Sequence, residues 1–186
     1  MNTQPGPLRE PMTLDEYLEF ESRSPVRHEF IEGELYAFAG ASRRHSLIVT
    51  NLVISFGLAA RGGPCEVHSN DVKLRASSHT IYYPDVMVVC DQEDRDDLIV
   101  TRPCLVVEVL SPSSWAMDRR EKLIMYRRIE SLQTYLIVFQ DERRVIHYRR
   151  DGHGDWGRTE LTSNGSFPIG CLDTSLSLNQ IYEGID

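Results

Sequence analysis

Apolar positions along this chain recur at two periods, and the switches between them mark out the elements. Leu14, Tyr17 and Leu18 fall at helical spacing up to Glu21, and Thr13 with Glu16 three residues on has the spacing of a capping box, so a short capped helix is expected. After Ser24-Pro25, the run His28 to Phe38 predicts two short strands turning at Glu32-Gly33, a hairpin that carries three acids. From Ser42 to Arg61, Leu47, Ile48, Asn51, Leu52, Ile54, Ser55, Leu58 and Ala59 recur at spacings of three and four and stop at Gly62-Gly63. This is the main amphipathic helix, with one face in the core.

Cys65 to Arg75, Ile81 to Cys90 and Cys104 to Leu110 are rich in Val, Ile, Tyr and Leu and predict three strands separated by polar turns. The last two are expected at the centre of a sheet, because Val86-Met87-Val88-Val89 and Leu105-Val106-Val107 are apolar on both faces. Asp118 to Ile129 places Leu123, Tyr126 and Ile129 on one side of a helix and arginines on the other, then feeds the strand Thr134 to Phe139, a β-α-β passage. Val145 to Arg149 and Trp156 to Leu161 predict an outer hairpin, and a closing segment ends at Leu178, Ile181 and Tyr182. Asp91 to Asp97 reads as an exposed acidic loop, and no internal repeat appears. The fold class is α/β (α+β): a mixed central sheet flanked by helices, with an N-terminal helix and hairpin.

A chain of 186 residues with 41% hydrophobic and 26% charged positions suits one globular domain, taken as residues 11–186 after a flexible start at residues 1–10. The opening residues lack the basic and apolar regions of a signal peptide, and Leu47 to Ala60 is too short and too interrupted to span a bilayer, so no membrane association is expected. Cys65, Cys90, Cys104 and Cys171 are far apart with no CxxC pair, which predicts neither a zinc site nor a disulfide framework, but reduced thiols in the cytoplasm. The net charge of −8 argues against a protein that holds nucleic acid by bulk charge. Charge is polarised, however: from Arg119 to Arg150 nine basic and four acidic residues leave a local +5. Such a stretch suits the approach of a phosphate backbone, or simply a solvated face.

Two acids stand apart from the rest. Asp85 follows Pro84 and opens the apolar run Val86 to Val89, while Glu108 interrupts Val106-Val107-Glu108-Val109-Leu110. A carboxylate set into a buried strand is costly unless it is paired, protonated or bound to a cation. Successive strands carrying one acid each place both at one edge of a sheet, where oxygen ligands suit Mg²⁺ or Mn²⁺. Metal-dependent phosphodiester hydrolysis uses that arrangement, with a lysine supporting the nucleophile, under the shorthand PD-(D/E)xK. Here Pro84-Asp85 is followed by Glu108-Val109-Leu110, with leucine where the lysine would stand. The chain has two lysines, Lys73 and Lys122, and Lys73 on the preceding Asp71-Val72-Lys73-Leu74 segment is one candidate for the missing group. His68, Asn70 and Asp71 alternate across a strand and do not form a metal cluster. No GxSxG, P-loop, HExxH or GxGxxG is present to support hydrolase-triad, nucleotide-binding or zinc-protease chemistry.

The ordered set Met12-Thr13-Leu14-Asp15-Glu16-Tyr17-Leu18, His28-Glu29-Phe30-Ile31-Glu32-Gly33-Glu34-Leu35, His45, Pro84-Asp85-Val86, Val107 to Ser114, Asp118-Arg119-Arg120-Glu121-Lys122-Leu123 and Tyr126 resembles the Uma-type restriction endonucleases of the PD-(D/E)xK nuclease-like superfamily. The resemblance runs from about Met12 to Tyr182. It implies a restriction-endonuclease-like core, Asp85 and Glu108 as metal ligands, Glu29 as an additional acid, and Lys122 in place of the strand lysine. His45, Ser111, Arg119 and Lys73 are candidate substrate contacts, although His45 also suits a helix cap or a buried hydrogen bond. The expected function is a Mg²⁺- or Mn²⁺-dependent endonuclease acting on DNA, working as a homodimer because one small site cuts one strand. Its rival is a catalytically inactive binding or assembly module of the same fold, with Leu110 marking the lost lysine. Hydrolysis of another phosphoester would use the same residues.

Overall fold

Thr13 accepts a hydrogen bond from the Glu16 amide while the Glu16 carboxylate accepts from the Thr13 amide at 2.8 Å, so the capping box forms and starts α1 (Leu14–Arg23). The computed structural model describes residues 11–37, 41–110 and 118–185, with residues 118–120 described by their backbone alone. Its strands are β1 (His28–Ile31), β2 (Glu34–Ala37), β3 (Glu66–Ser69), β4 (Lys73–Ser77), β5 (Thr80–Tyr82), β6 (Val86–Val89), β7 (Ile99–Val100), β8 (Leu105–Leu110), β9 (Thr134–Phe139), β10 (Val145–Arg150), β11 (Trp156–Leu161), β12 (Ser166–Ile169) and β13 (Thr174–Ser177). The remaining helices are α2 (Arg43–Ala60), capped by Ser42, α3 (Asp118–Arg128) and α4 (Leu178–Ile181).

The central sheet has the order β11-β10-β9-β8-β6-β3. β8 and β9 are parallel, as a crossover through α3 requires, and both are buried on both faces. Side chains alternate across this sheet. Val86, Val88, Leu105 and Val107 face α2 and the hairpin β12-β13, whereas Met87, Val106 and Leu110 face α3 and a second sheet. That second sheet has the order β2-β1-β5-β4-β7 and contributes Leu74, Tyr82 and Val100 to the shared layer. α1 closes its other side, stacking Tyr17 on Phe30 with ring centroids 4.9 Å apart.

The mixed, helix-flanked architecture agrees with the sequence reading, and its differences have local causes. The expected strand Cys65 to Arg75 is two strands in different sheets, β3 and β4, separated where Asn70 adopts a positive φ of 54°. The expected strand Ile81 to Cys90 is likewise β5 and β6, broken at Pro84, whose missing N–H cannot continue a ladder. The two corners abut, with the Asn70 amide donating to the Asp85 carbonyl at 3.3 Å. The cysteine expectation is corrected as well: Cys65 and Cys90 form a disulfide, because the β3–β6 register, Glu66 opposite Val89, brings residues 25 apart in sequence face to face. Among the described residues no helix is long and apolar enough to cross a membrane.

Candidate active site

β6 and β8 run antiparallel with Val86 opposite Val107, so Asp85 comes opposite Glu108. The Val109 amide donates to Asp85 Oδ2 at 2.7 Å and fixes that carboxylate across the ladder. Glu108 shares the face of Val106 and Leu110, toward α3. On α3, Lys122 and Tyr126 are one turn apart and reach the same carboxylate. Lys122 Nζ lies 3.2 Å from Glu108 Oε1, and the Tyr126 hydroxyl donates to that same oxygen at 2.6 Å. β1 supplies Glu29, whose Oε1 is 2.8 Å from Lys122 Nζ. The neighbouring acids of the hairpin, Glu32 and Glu34, are exposed. Glu29, Glu108, Lys122 and Tyr126 are all buried.

Burial pushes the Glu108 carboxyl up, the Lys122 ammonium opposes that shift, and the charges of Asp85 and Glu29 add to it. Burial, with the Glu108 charge second, also raises the Tyr126 phenol, which therefore remains a hydrogen-bond donor. His45, held in the first turn of α2 by the Ser42 cap, places Nε2 3.2 Å from Asp85 Oδ1. That hydrogen bond raises the imidazole against the opposing effect of burial. A groove of about 310 Å³ opens beside it, lined by His45, Ser69 and Asn70. The donor set of the site is therefore hard oxygen from Asp85, Glu108 and Glu29, chemistry that fits Mg²⁺ or Mn²⁺ rather than a thiophilic ion.

The structure brings together four of the residues singled out in the sequence, Asp85, Glu108, Lys122 and Glu29, and joins His45 to them through Asp85. Lys73 goes elsewhere. It is buried on β4 with Nζ 5.7 Å from the Tyr83 ring centroid, and burial pulls its ammonium down. Ser111 and the side chain of Arg119 lie outside the described residues. Tyr126, counted in the sequence among the apolar positions of its helix, is a direct partner of Glu108. Glu21 of α1 was not visible as a site residue either. It accepts from the His28 amide at 2.9 Å and the Tyr83 hydroxyl at 3.0 Å, while the Tyr83 amide meets Glu29 at 3.4 Å. The basic stretch is partly occupied within the protein: Arg150 donates to the carbonyls of Arg127, Ile129 and Glu130, and Arg144 pairs with Glu160 and Glu142. Arg128 and Arg149 are exposed.

Residues 14–180 match the model of the Uma2 family, described as "Putative restriction endonuclease". An uncharacterized protein of Synechocystis sp. is 36% identical over 176 residues, covering 94% of this chain and 93% of that protein. A second uncharacterized protein of the same organism is 38% identical over 154 residues, covering 81% and 87%. A crystal structure described as that of a "putative nuclease belonging to DUF820" from Anabaena variabilis superimposes with a TM-score of 0.76 at 18% identity, covering 92% of this chain and 97% of that one, and so shares the fold.

Proposed function

The chain belongs to the Uma2 family, and from that membership and the carboxylate–lysine geometry we propose that it is a nuclease hydrolysing DNA phosphodiester bonds with Mg²⁺ or Mn²⁺. The observation that carries the reading is Lys122. Its ammonium meets both Glu29 and Glu108 from a helix, on the sheet face where the strand position after Glu108 and Val109 holds a leucine. A lysine displaced in sequence but delivered in space supports the catalytic reading over the one in which Leu110 marks lost chemistry.

In this reading Asp85 and Glu108 hold the cation, with Glu29 completing the acidic set. When bound, the cation polarises the scissile phosphate and favours ionisation of the attacking water. Val109 and His45 bind the two oxygens of Asp85 and hold the carboxylate in one orientation. Tyr126 does the same for Glu108. Lys122, a cation fixed in a water-poor site, supports the attacking hydroxide or the charge that grows on the phosphate oxygens. One site cuts one strand, so concerted cleavage of duplex DNA needs two copies of the chain, and a homodimer belongs to the proposal.

The test is cleavage of supercoiled, single-stranded, nicked and branched DNA in Mg²⁺ and in Mn²⁺, with Asp85→Ala, Glu108→Ala and Lys122→Ala purified identically. Cleavage by the wild type that all three variants lose supports the proposal. Cleavage that survives in the variants refutes this site, and no cleavage of any substrate favours the binding or assembly module.

A further inference from the structure

All four cysteines of the chain meet at one point, at the end of the central sheet opposite the candidate active site. Cys90 directly follows β6 and Asp85 directly precedes it, so the two lie roughly 17 Å apart along the strand. Cys104 precedes β8, Cys65 precedes β3, and Cys171 lies in the 3₁₀ turn between β12 and β13. Cys104 Sγ is 3.5 Å from Cys90 Sγ, and the sulfurs of Cys90, Cys104 and Cys171 all lie within 4.8 Å of one another. The disulfide adds the Cys65 sulfur to the same cluster, and the sulfurs of Cys65 and Cys90 are each 3.7 Å from the Cys171 carbonyl oxygen.

A disulfide needs two cysteines and leaves the other pair unexplained. A tetrahedral thiolate site needs four. Sulfurs about 2.3 Å from a zinc ion stand roughly 3.8 Å from one another, near the 3.5 Å between Cys90 and Cys104 and inside the 4.8 Å within which the sulfurs of Cys90, Cys104 and Cys171 all lie. The sulfurs are soft donors, unlike the oxygens of the candidate active site, and so select a different class of metal. Cys104 is buried while Cys65, Cys90 and Cys171 are half-buried, which leaves an ion a route in.

We propose that Cys65, Cys90, Cys104 and Cys171 form one Zn²⁺ site, occupied when all four are reduced, and that the Cys65–Cys90 disulfide is its oxidised, metal-free state. Interconversion balances with a dithiol as reductant. The dithiol supplies two electrons and two protons, the Cys65–Cys90 bond opens to two thiols, and the reductant departs as its own disulfide. Zinc then displaces four thiol protons, leaving four thiolates around one dication.

The site is independent of the proposed nuclease chemistry and has its own spectroscopic readout. The full chain, reduced with a phosphine, stripped with a chelator and kept under inert gas, is titrated with Co²⁺. The expected result is one Co²⁺ per chain with intense visible d–d bands and a near-ultraviolet thiolate-to-cobalt band, both abolished by equimolar Zn²⁺. The Cys104→Ser/Cys171→Ser double variant loses these bands, whereas Asp85→Asn, which alters only an oxygen donor, keeps them. Protein with the disulfide intact lacks them too. Absence of the thiolate band in reduced wild-type protein, which needs no variant to fold, overturns the proposal. So does the same band in the double variant or in the oxidised protein.

Discussion

Lys122 places a positive charge between two buried carboxylates, so its removal exposes what each interaction contributes. Lys122→Met leaves Glu29 and Glu108 facing each other without that cation, and breaking a buried ion pair in this way costs about 3–5 kcal/mol. Adding Glu108→Gln removes one of the two like charges left near each other, so the double variant is expected to regain part of the loss. Urea unfolding in the presence of a chelator reads this directly, and a double variant no more stable than the single one defeats the electrostatic account. A second buried group fixes part of the pH dependence. His147 is stacked on Phe167 with its Nε2 unpartnered among the described residues, and burial, aided by Arg149, pushes its imidazole from 6.5 down to about 4. The unfolded chain binds a proton that the folded chain refuses, so this stability is fully present above 6.5 and is lost as pH falls toward 4. The whole effect is on the order of 3 kcal/mol. His147→Leu is expected to flatten the fall in urea midpoint between neutral and mildly acidic pH, and an unchanged slope contradicts the assignment.

At the scale of elements, the β1–β2 hairpin and α3 both converge on the site, β1 bringing Glu29 and α3 bringing Lys122. The hairpin turns at Glu32 and Gly33, both at positive φ, and a Cβ at Gly33 would stand 2.4 Å from the Cβ of Pro11. Gly33→Ala therefore meets both a backbone penalty and a steric one, together about 1–3 kcal/mol. Gly57, inside α2 with open space where a Cβ would be, predicts the opposite sign: Gly57→Ala gains about 0.5–1 kcal/mol of helix propensity. Parallel thermal melts of the two variants check both, with each kcal/mol moving Tm by roughly 2–4 °C in a chain of this size. What the sequence disclosed follows the same division. The cap of α1, the length of α2 and the β8-α3-β9 passage were legible because local periodicity encodes them. The corners at Asn70 and Pro84 were not, since β-forming residues continue on both sides and only the backbone at one or two positions redirects the chain into another sheet. Asp85 and Glu108 were visible as charges in apolar strands. Lys122 was singled out only through family resemblance, Tyr126 looked apolar at its helical position, and the cysteine cluster depends on strand pairings that no spacing reveals.

Over the whole molecule the charge is organised to favour a cation at the site more than a polyanion along the surface. The chain carries −8 overall, and part of its basic stretch is engaged internally, with Arg150 on the carbonyls at the end of α3 and Arg144 on two acids. Three carboxylates meanwhile share one region of the fold, where burial first and then the charges of Asp85 and Glu29 lift Glu108. In the unfolded chain these acids, 23 and more residues apart, no longer form a common site. A divalent cation that binds them therefore binds the folded state selectively, and each tenfold excess of Mg²⁺ over its Kd adds about 1.4 kcal/mol to stability. That corresponds to roughly 3–6 °C in Tm. Mg²⁺ suits this measurement because it has little affinity for thiolates and so reports on the carboxylate site rather than on the cysteine cluster. Simple screening of surface charge is separated by matching ionic strength with NaCl, which leaves only the specific component. The wild-type melt is expected to rise with Mg²⁺ beyond the salt control, and Asp85→Asn, which keeps the side chain's size while removing its charge, is expected to lose that increment. A wild-type melt indifferent to millimolar Mg²⁺, or an equal rise in Asp85→Asn, would mean that the three acids do not form a cation site.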